Sequence, residues 1–331
     1  MNEPNQPLNI AVFGAGRWGN HLIRNFWEND RSHLVAIVDP NPDRLQAVQS
    51  RYNLDASVEL TDDWQGILQR KDIEAVAIAT PATTHYTLID RALRENCHVL
   101  AEKPLTLDAE ECLQLCHLAD GQKRQLVVDH TYLFHPVVQQ GKETIASGAI
   151  GELRYGYATR THLGPVRQDV DALWDLAIHD LAIFNHWLGE TPIEVNATGN
   201  TWLQPGLSDV VWVQLRYPSG FQATIHLCWL NPDKQRRLAI VGSKGTLIFD
   251  ELSAEPLVVQ RGELETDGKH FNPIGVQREA IAIPKAEPLS QVCNHFLDCV
   301  KDRQTSPYSS GWVGAELVRT LQAVSAKLNN I

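Results

Sequence analysis

The feature that most limits how this chain can fold is an alternation running from Leu8 to Asp129. Short apolar runs ("LNIAVF", "HLVAIVDP", "IEAVAIAT", "HVLAE", "QLVVDH") take turns with stretches of helical pattern ("NHLIRNFWEN", "NPDRLQAVQSRYN", "THYTLIDRALREN", "DAEECLQLCHLADGQ"). Apolar strands separated by helices do not pair as hairpins. They form a parallel sheet covered on both faces, the doubly wound α/β arrangement. At 331 residues, with 43% of them hydrophobic, the chain is long enough for two domains with a sizeable core. The division is expected near residue 128, giving 1–128 as the doubly wound domain and 129–331 as a domain for substrate binding and oligomerisation, its last helices packing near the domain junction.

The first strand runs directly into "GAGRWG", residues Gly14, Ala15, Gly16, Arg17, Trp18 and Gly19. A G-x-G-x-x-G pattern taken alone marks only a tight turn. Between a strand and a helix it is the context of dinucleotide binding, with Gly16 letting the backbone approach a pyrophosphate at the helix N-terminus. Asp39 closes the second strand about twenty residues further on, where a carboxylate can accept hydrogen bonds from a ribose diol. Asp39 would repel a 2′-phosphate, so NAD is expected over NADP. Arg44 is near enough in sequence to turn toward such a phosphate. Ligands of open parallel sheets lie beyond the carboxyl ends of the strands. Thr80, Pro81 and His85 follow one strand end, and Glu102, Lys103 and Pro104 another. Thr80, Pro81, His85, Glu102 and Lys103 complete the expected cofactor set.

The net charge of −11 argues against nucleic acid or an anionic membrane as a main partner. No uncharged apolar run reaches transmembrane length, and "MNEPNQPLNI" lacks a basic stretch followed by an apolar one. A cytoplasmic protein is expected. The six cysteines show no paired spacing and suggest free thiols, with no metal site.

The second half opens a different question. "DALWDLAIHDLAIFNHWLG", Asp171 to Gly189, is apolar nearly all round, as a buried helix is. It nevertheless contains Asp175, His179 and Asp180. Asp175 and His179, four apart, share a helix face. Buried groups of this kind need partners. The pair is either a structural contact or a catalytic acid and base. "DVVWVQLRY" and "FQATIHLCWL" read as a hairpin, as do "RRLAIVG" and "TLIFDE". Val211, Val213, Leu215 and Tyr217 share a face with Phe221, Ala223, Ile225 and Leu227, expected to pack under the Asp175 helix. The other face, with Trp212, Arg216 and His226, suits a subunit interface, so a homodimer or homotetramer is expected. Arg160 and Arg167 are candidates for a substrate phosphate or carboxylate, since guanidinium binds these with a bidentate fork. Tyr132 follows a strand end and is a candidate to line the substrate pocket.

"GAGRWG", "AEKPLT" and the spaced Asp175 and His179 together resemble the Gfo/Idh/MocA oxidoreductase family over nearly the whole chain. "RTHLGPVRQDVDALWDLAIHDL" with "WLNPDKQRRLAIVGSKGTLIFD" is similar to members acting on nucleotide-linked amino sugars and their uronic acids. The resemblance implies a Rossmann domain followed by a domain with a largely antiparallel open sheet. It implies hydride transfer between nicotinamide and a secondary hydroxyl or keto group of a sugar or sugar nucleotide. Lys103, Asp175 and His179 would be the catalytic set: Lys103 orients the hydroxyl, and His179 acts as general acid and base. Ala182 departs from the many relatives that carry an acid three residues after the histidine. Two other readings stay open: a regulatory protein that keeps the dinucleotide fold, and an enzyme for a cyclitol, a dihydrodiol or a tetrapyrrole.

Overall fold

The structure, a computed structural model, describes residues 6–328. Its first unit is built on six parallel strands: β1 (Leu8–Phe13), β2 (Ser32–Val38), β3 (Glu59–Thr61), β4 (Ala75–Ile78), β5 (His98–Glu102) and β6 (Leu126–Asp129). Their order is β3-β2-β1-β4-β5-β6. The order reverses direction between β1 and β4, which places a ligand crevice at the carboxyl ends of those strands. The central strands β4 and β5 are buried along their whole length, as strands covered on both faces must be. The helices are α1 (Arg17–Trp27), α2 (Pro42–Tyr52), α3 (Trp64–Gln69), α4 (His85–Arg94) and α5 (Ala109–Gln122). Local chemistry sets their ends. The Asn41 side chain caps α2 by accepting from the Asp43 and Arg44 amides, and Asp108 caps α5 through Glu110 and Glu111.

The second unit carries α6 (Pro136–Ala146), β7 (Leu153–Leu163), α7 (Ile178–Leu188), β8 (Glu194–Asn200), β9 (Val210–Arg216), β10 (Gln222–Cys228), β11 (Leu230–Gly242), β12 (Gly245–Asp250), β13 (Leu257–Thr266) and β14 (Phe271–Ala280). The eight strands form one sheet in the order β14-β13-β12-β11-β7-β10-β9-β8. β7 and β10 run parallel, and the remaining neighbours antiparallel. Both hairpins expected from the sequence form. Val211, Val213, Leu215, Ala223, Ile225 and Leu227 are buried on one face. That face receives α7: a Cβ at Gly156 of β7 would stand 2.7 Å from the Phe184 ring, and the Tyr217 hydroxyl donates to Asn185 at 3.1 Å. α6 lies on α7 by a similar close approach, Gly141 against Trp187, whose indole donates to the Val138 carbonyl at 2.8 Å. On the opposite face Trp212 is 43% exposed and stacks on His226, with centroids 5.3 Å apart.

The chain then forms α8 (Pro288–Asp302) and α9 (Gly311–Leu328). Residues 287–318 belong to the first unit with 1–131, and 132–286 with 319–331 make the second. This differs from a single division near residue 128, which would leave both helices in the second domain. The physical reason is packing on the parallel sheet. Phe296 of α8 meets Phe26 of α1 edge to face at 6.5 Å, and the Ser309 hydroxyl donates to the Val128 carbonyl at 2.6 Å. Gly311 leaves room for the Leu126 side chain.

Candidate active site

The glycine turn is shaped from both sides. Gly14 has φ +96°, and a Cβ there would stand 2.6 Å from the Ala79 carbonyl oxygen. A Cβ at Gly19 would stand 1.8 Å from the Gly14 carbonyl oxygen. Both positions therefore require glycine. Gly16 is different: nothing lies within 4 Å of a Cβ built there, so its backbone faces open space. Gly16 is also the N-cap of α1, and no side chain caps that helix or places an acid in its first turn. An uncapped helix start beside an open glycine suits a phosphate group. Trp18 is 49% exposed next to this turn, with Arg17 over its ring at 5.8 Å. The residues present thus fit the pyrophosphate of a dinucleotide.

Asp39 is buried at the end of β2 and ties the turn to its neighbour. One carboxylate oxygen accepts the Ala15 amide at 2.8 Å, and the other the Asn41 amide at 2.9 Å. Arg44, 54% exposed, reaches the same carboxylate at 3.5 Å. After β4, the Thr84 hydroxyl donates to the Thr80 hydroxyl at 2.7 Å, and Pro81 is exposed. His85 does not offer its ring to a ligand, contrary to the cofactor contact expected above. It is 1% exposed, and its ring nitrogens lie 2.9 Å from the Pro104 carbonyl and 3.0 Å from that of Thr80. Burial lowers its pKa against the pull of those carbonyls. Its role is to clamp the loop after β4 to the loop after β5. Lys103 stands half-buried in that second loop, whereas Glu102, the last residue of β5, is buried. Glu102 therefore differs from the cofactor contact expected of it: its side chain belongs to the interior.

In the second unit the helix of Asp175 and His179 is not uniform. Leu173–Ala177 is a π-helical turn, and α7 begins at Ile178. Such a turn widens the spacing of side chains and recurs at functional sites. It is anchored at its start, where the Asp171 carboxylate accepts the Trp174 amide at 3.0 Å and the Ala172 amide donates to the Ser208 carbonyl at 2.9 Å. Asp175 and His179 are half-buried, and Asp180 is the buried carboxylate.

Asp180 has a partner. Arg160 of β7, 4% exposed, grips it with Nε at 3.0 Å and Nη2 at 2.9 Å, and its Nη1 donates to the Tyr132 hydroxyl at 2.9 Å. Burial works against the Arg160 charge, but Asp180 and Tyr132 hold its pKa above the usual range. Arg160 is thus an internal strut, not the exposed fork expected for substrate. Tyr132 in turn donates to Glu251, which also accepts from Arg236 at 2.9 Å. Burial tends to raise the Glu251 pKa, but these donors hold it below the usual value. The Tyr132 ring lies 4.9 Å from that of His179, inclined by 51°. The chain Asp180–Arg160–Tyr132–Glu251–Arg236 therefore sets one wall beside the imidazole. Arg167 stays partly exposed, bidentate to Asp169 at 2.9 and 2.6 Å and 3.5 Å from Asp175. Sequence reading missed Glu251 and Arg236. Their only signal was a carboxylate and a guanidinium on the strands "RRLAIVG" and "TLIFDE" or just beyond them.

Residues 8–130 match the family model described as "Oxidoreductase family, NAD-binding Rossmann fold", and residues 138–248 match the "GFO/IDH/MocA C-terminal domain". The chain is 29% identical over 269 residues to the inositol 2-dehydrogenase of Rhizobium meliloti, covering 77% of this chain and 79% of the relative. It is 26% identical over 294 residues to the UDP-N-acetylglucosamine 3-dehydrogenase of Acidithiobacillus ferrooxidans, covering 88% of each. The solved structure of that enzyme covers 98% of this chain with a TM-score of 0.85. A solved oxidoreductase-fold chain from Magnetospirillum magnetotacticum is 31% identical, covers 96% of this chain and all of its own length, and has a TM-score of 0.80.

Proposed function

The chain belongs to the Gfo/Idh/MocA oxidoreductase family, and from that premise we propose that it moves hydride between a nicotinamide cofactor and a secondary hydroxyl or keto group of a sugar or sugar nucleotide. The observation that carries this reading is the open, uncapped turn at Gly16. Such a turn serves an anion that approaches the backbone closely. When bound, the nicotinamide gives or takes the hydride. The chain's own residues do the rest. Gly14 to Gly19 hold the pyrophosphate, Asp39 accepts from the ribose, and Thr80 and Pro81 border the cofactor. Lys103 stabilises negative charge as it develops on the substrate oxygen. His179 takes the hydroxyl proton, and Asp175 orients its ring. Relatives named for inositol and for UDP-N-acetylglucosamine support a polyhydroxylated substrate. Arg167 is the remaining guanidinium for a substrate phosphate or carboxylate, and the Trp212 face is assigned to self-association.

The test is absorbance of the reduced nicotinamide during incubation with a panel of sugars, cyclitols and UDP-sugars. Turnover with at least one is expected. Lys103→Met should lower kcat by about 10²- to 10³-fold, the scale of one lost oxyanion-type donor, with the fold intact. Unchanged turnover in that variant with every substrate would remove Lys103 from the chemistry.

NAD is expected to bind more tightly than NADP, because a 2′-phosphate would meet the Asp39 carboxylate. Asp39→Ser should narrow the gap. It should also weaken NAD itself, since the Ala15 amide loses its acceptor. Titration of both cofactors by quenching of protein fluorescence checks this, and equal affinities in the unaltered protein would refute the ribose assignment.

A further inference from the structure

Beneath Lys103 lies a pair of carboxyl groups that the proposed mechanism does not use. Glu102 ends β5, Asp129 ends β6, and the two are register partners on adjacent parallel strands. They are 8% and 0% exposed. Their side chains lie within hydrogen-bonding reach of each other. Glu102 Oε2 accepts the Lys103 amide at 3.3 Å, and Asp129 Oδ1 accepts the Thr131 hydroxyl at 2.7 Å. The remaining oxygens, Glu102 Oε1 and Asp129 Oδ2, are buried with no donor among the described residues. Two ionised carboxylates in contact away from water repel each other strongly, and an unsatisfied buried acceptor is costly. One proton placed between the pair removes both problems at once.

We infer that Glu102 and Asp129 hold a single proton between them and so present one negative charge, not two, to Lys103. The proton resides on Glu102. Asp129 has the Thr131 hydroxyl to stabilise its charge, whereas Glu102 has only a long amide contact. Burial and the Asp129 charge push the Glu102 pKa well above the usual carboxylate range, while burial raises that of Asp129 against the pull of the Thr131 hydroxyl. Asp129, with its own hydroxyl donor, carries the charge and Glu102 the proton.

The other groups facing the pair leave this balance unchanged. His130 is buried, and desolvation with the Lys103 charge lowers it to about 3, so it stays neutral. Cys293 of α8 is a buried thiol whose pKa is raised by burial and by Asp129, so it adds no charge. From this pair Lys103 therefore faces one negative charge. A neighbouring negative charge favours the ammonium form. The pair is thus a positioning element that keeps Lys103 protonated. This last consequence rests on the proposed role of Lys103 at the substrate oxygen, but the shared proton does not.

Two measurements test the inference. Infrared difference spectra of the substrate-free protein at pH 7.5, unaltered minus Glu102→Gln, should show the carbonyl stretch of a protonated carboxylic acid. Glutamine can donate to Asp129 as the acid does, so this variant keeps the pair's hydrogen bond and its single charge. A difference spectrum showing only a lost carboxylate band would overturn the shared proton. The second measurement is the fall in alcohol oxidation at high pH, where Lys103 loses its proton. Its midpoint should stay in place in Glu102→Gln. In the double variant Glu102→Gln/Asp129→Asn it should move down by about one pH unit or more, because the negative charge of the pair is gone. A midpoint that moves as far in the single variant as in the double would overturn the single-charge assignment. The infrared measurement needs no substrate, so it separates failure of the proton pair from failure of the proposed reaction.

Discussion

Replacing His179 by asparagine is expected to slow alcohol oxidation by about 10²- to 10⁴-fold, the usual contribution of a positioned general acid or base. Imidazole titrates near neutrality, so oxidation in the unaltered enzyme should rise with pH through one ionisation, and that limb should vanish in the variant. Affinity for NADH should change little, because the glycine turn and Asp39 belong to the first unit and His179 to the second. Asp175→Asn should give a milder loss, since the imidazole remains but is poorly oriented. Tyr132→Phe offers a third comparison. It keeps the ring beside His179 but removes the hydroxyl that links Arg160 to Glu251. A purely structural Asp–His pair predicts another pattern, in which activity falls only as far as the folded fraction does. Melting temperature measured alongside kcat distinguishes the two. A well-folded His179→Asn protein with full activity would end the catalytic assignment.

The parts of this molecule that were legible beforehand are those governed by local pattern. Apolar runs of strand length between amphipathic stretches specify β1, β2, β4, β5 and β6 because a strand buried on both faces has no other composition available. The requirement for glycine at positions 14 and 19 is equally local, set by a left-handed φ at one and a neighbouring carbonyl at the other. What escaped either carries no local pattern of its own or is set by a distant partner. β3 is a three-residue edge strand, too short and too exposed to carry a period. The π turn at Leu173–Ala177 has the same apolar composition as the helix it opens, so hydrophobic pattern does not distinguish them. Asp180 was visible as a carboxylate in an apolar helix, but its partner Arg160 comes from a strand in the same unit twenty positions earlier. His85 and Glu102 stand at the expected strand ends, but their side chains turn inward. Strand ends mark where a ligand crevice opens, and say nothing of whether a side chain turns toward it or inward.

The Arg160–Asp180 pair should be the most sensitive point in the stability of the second unit. Both side chains are almost wholly buried, at 5% and 3% exposure, and their contact is a two-point fork at 2.9 and 3.0 Å. Removing one member strands a charge in the interior, which typically costs about 3–5 kcal/mol. Arg160→Met and Asp180→Asn are therefore each expected to lower the denaturant midpoint and the melting temperature markedly. The double replacement Arg160→Met/Asp180→Leu should recover much of the loss, because an apolar pair of similar volume avoids the desolvation penalty. The coupling between the two sites is read from the double-mutant cycle. Arg160→Met removes a second contact as well, the donor to the Tyr132 hydroxyl. Tyr132 then keeps Glu251 and Arg236 but loses the group that fixes it against β7, so kcat in the folded fraction should fall too. A substrate-binding arginine would behave differently: Arg160→Met would raise KM and leave the melting temperature where it was. That result would return Arg160 to the binding site and make the fork to Asp180 incidental to stability.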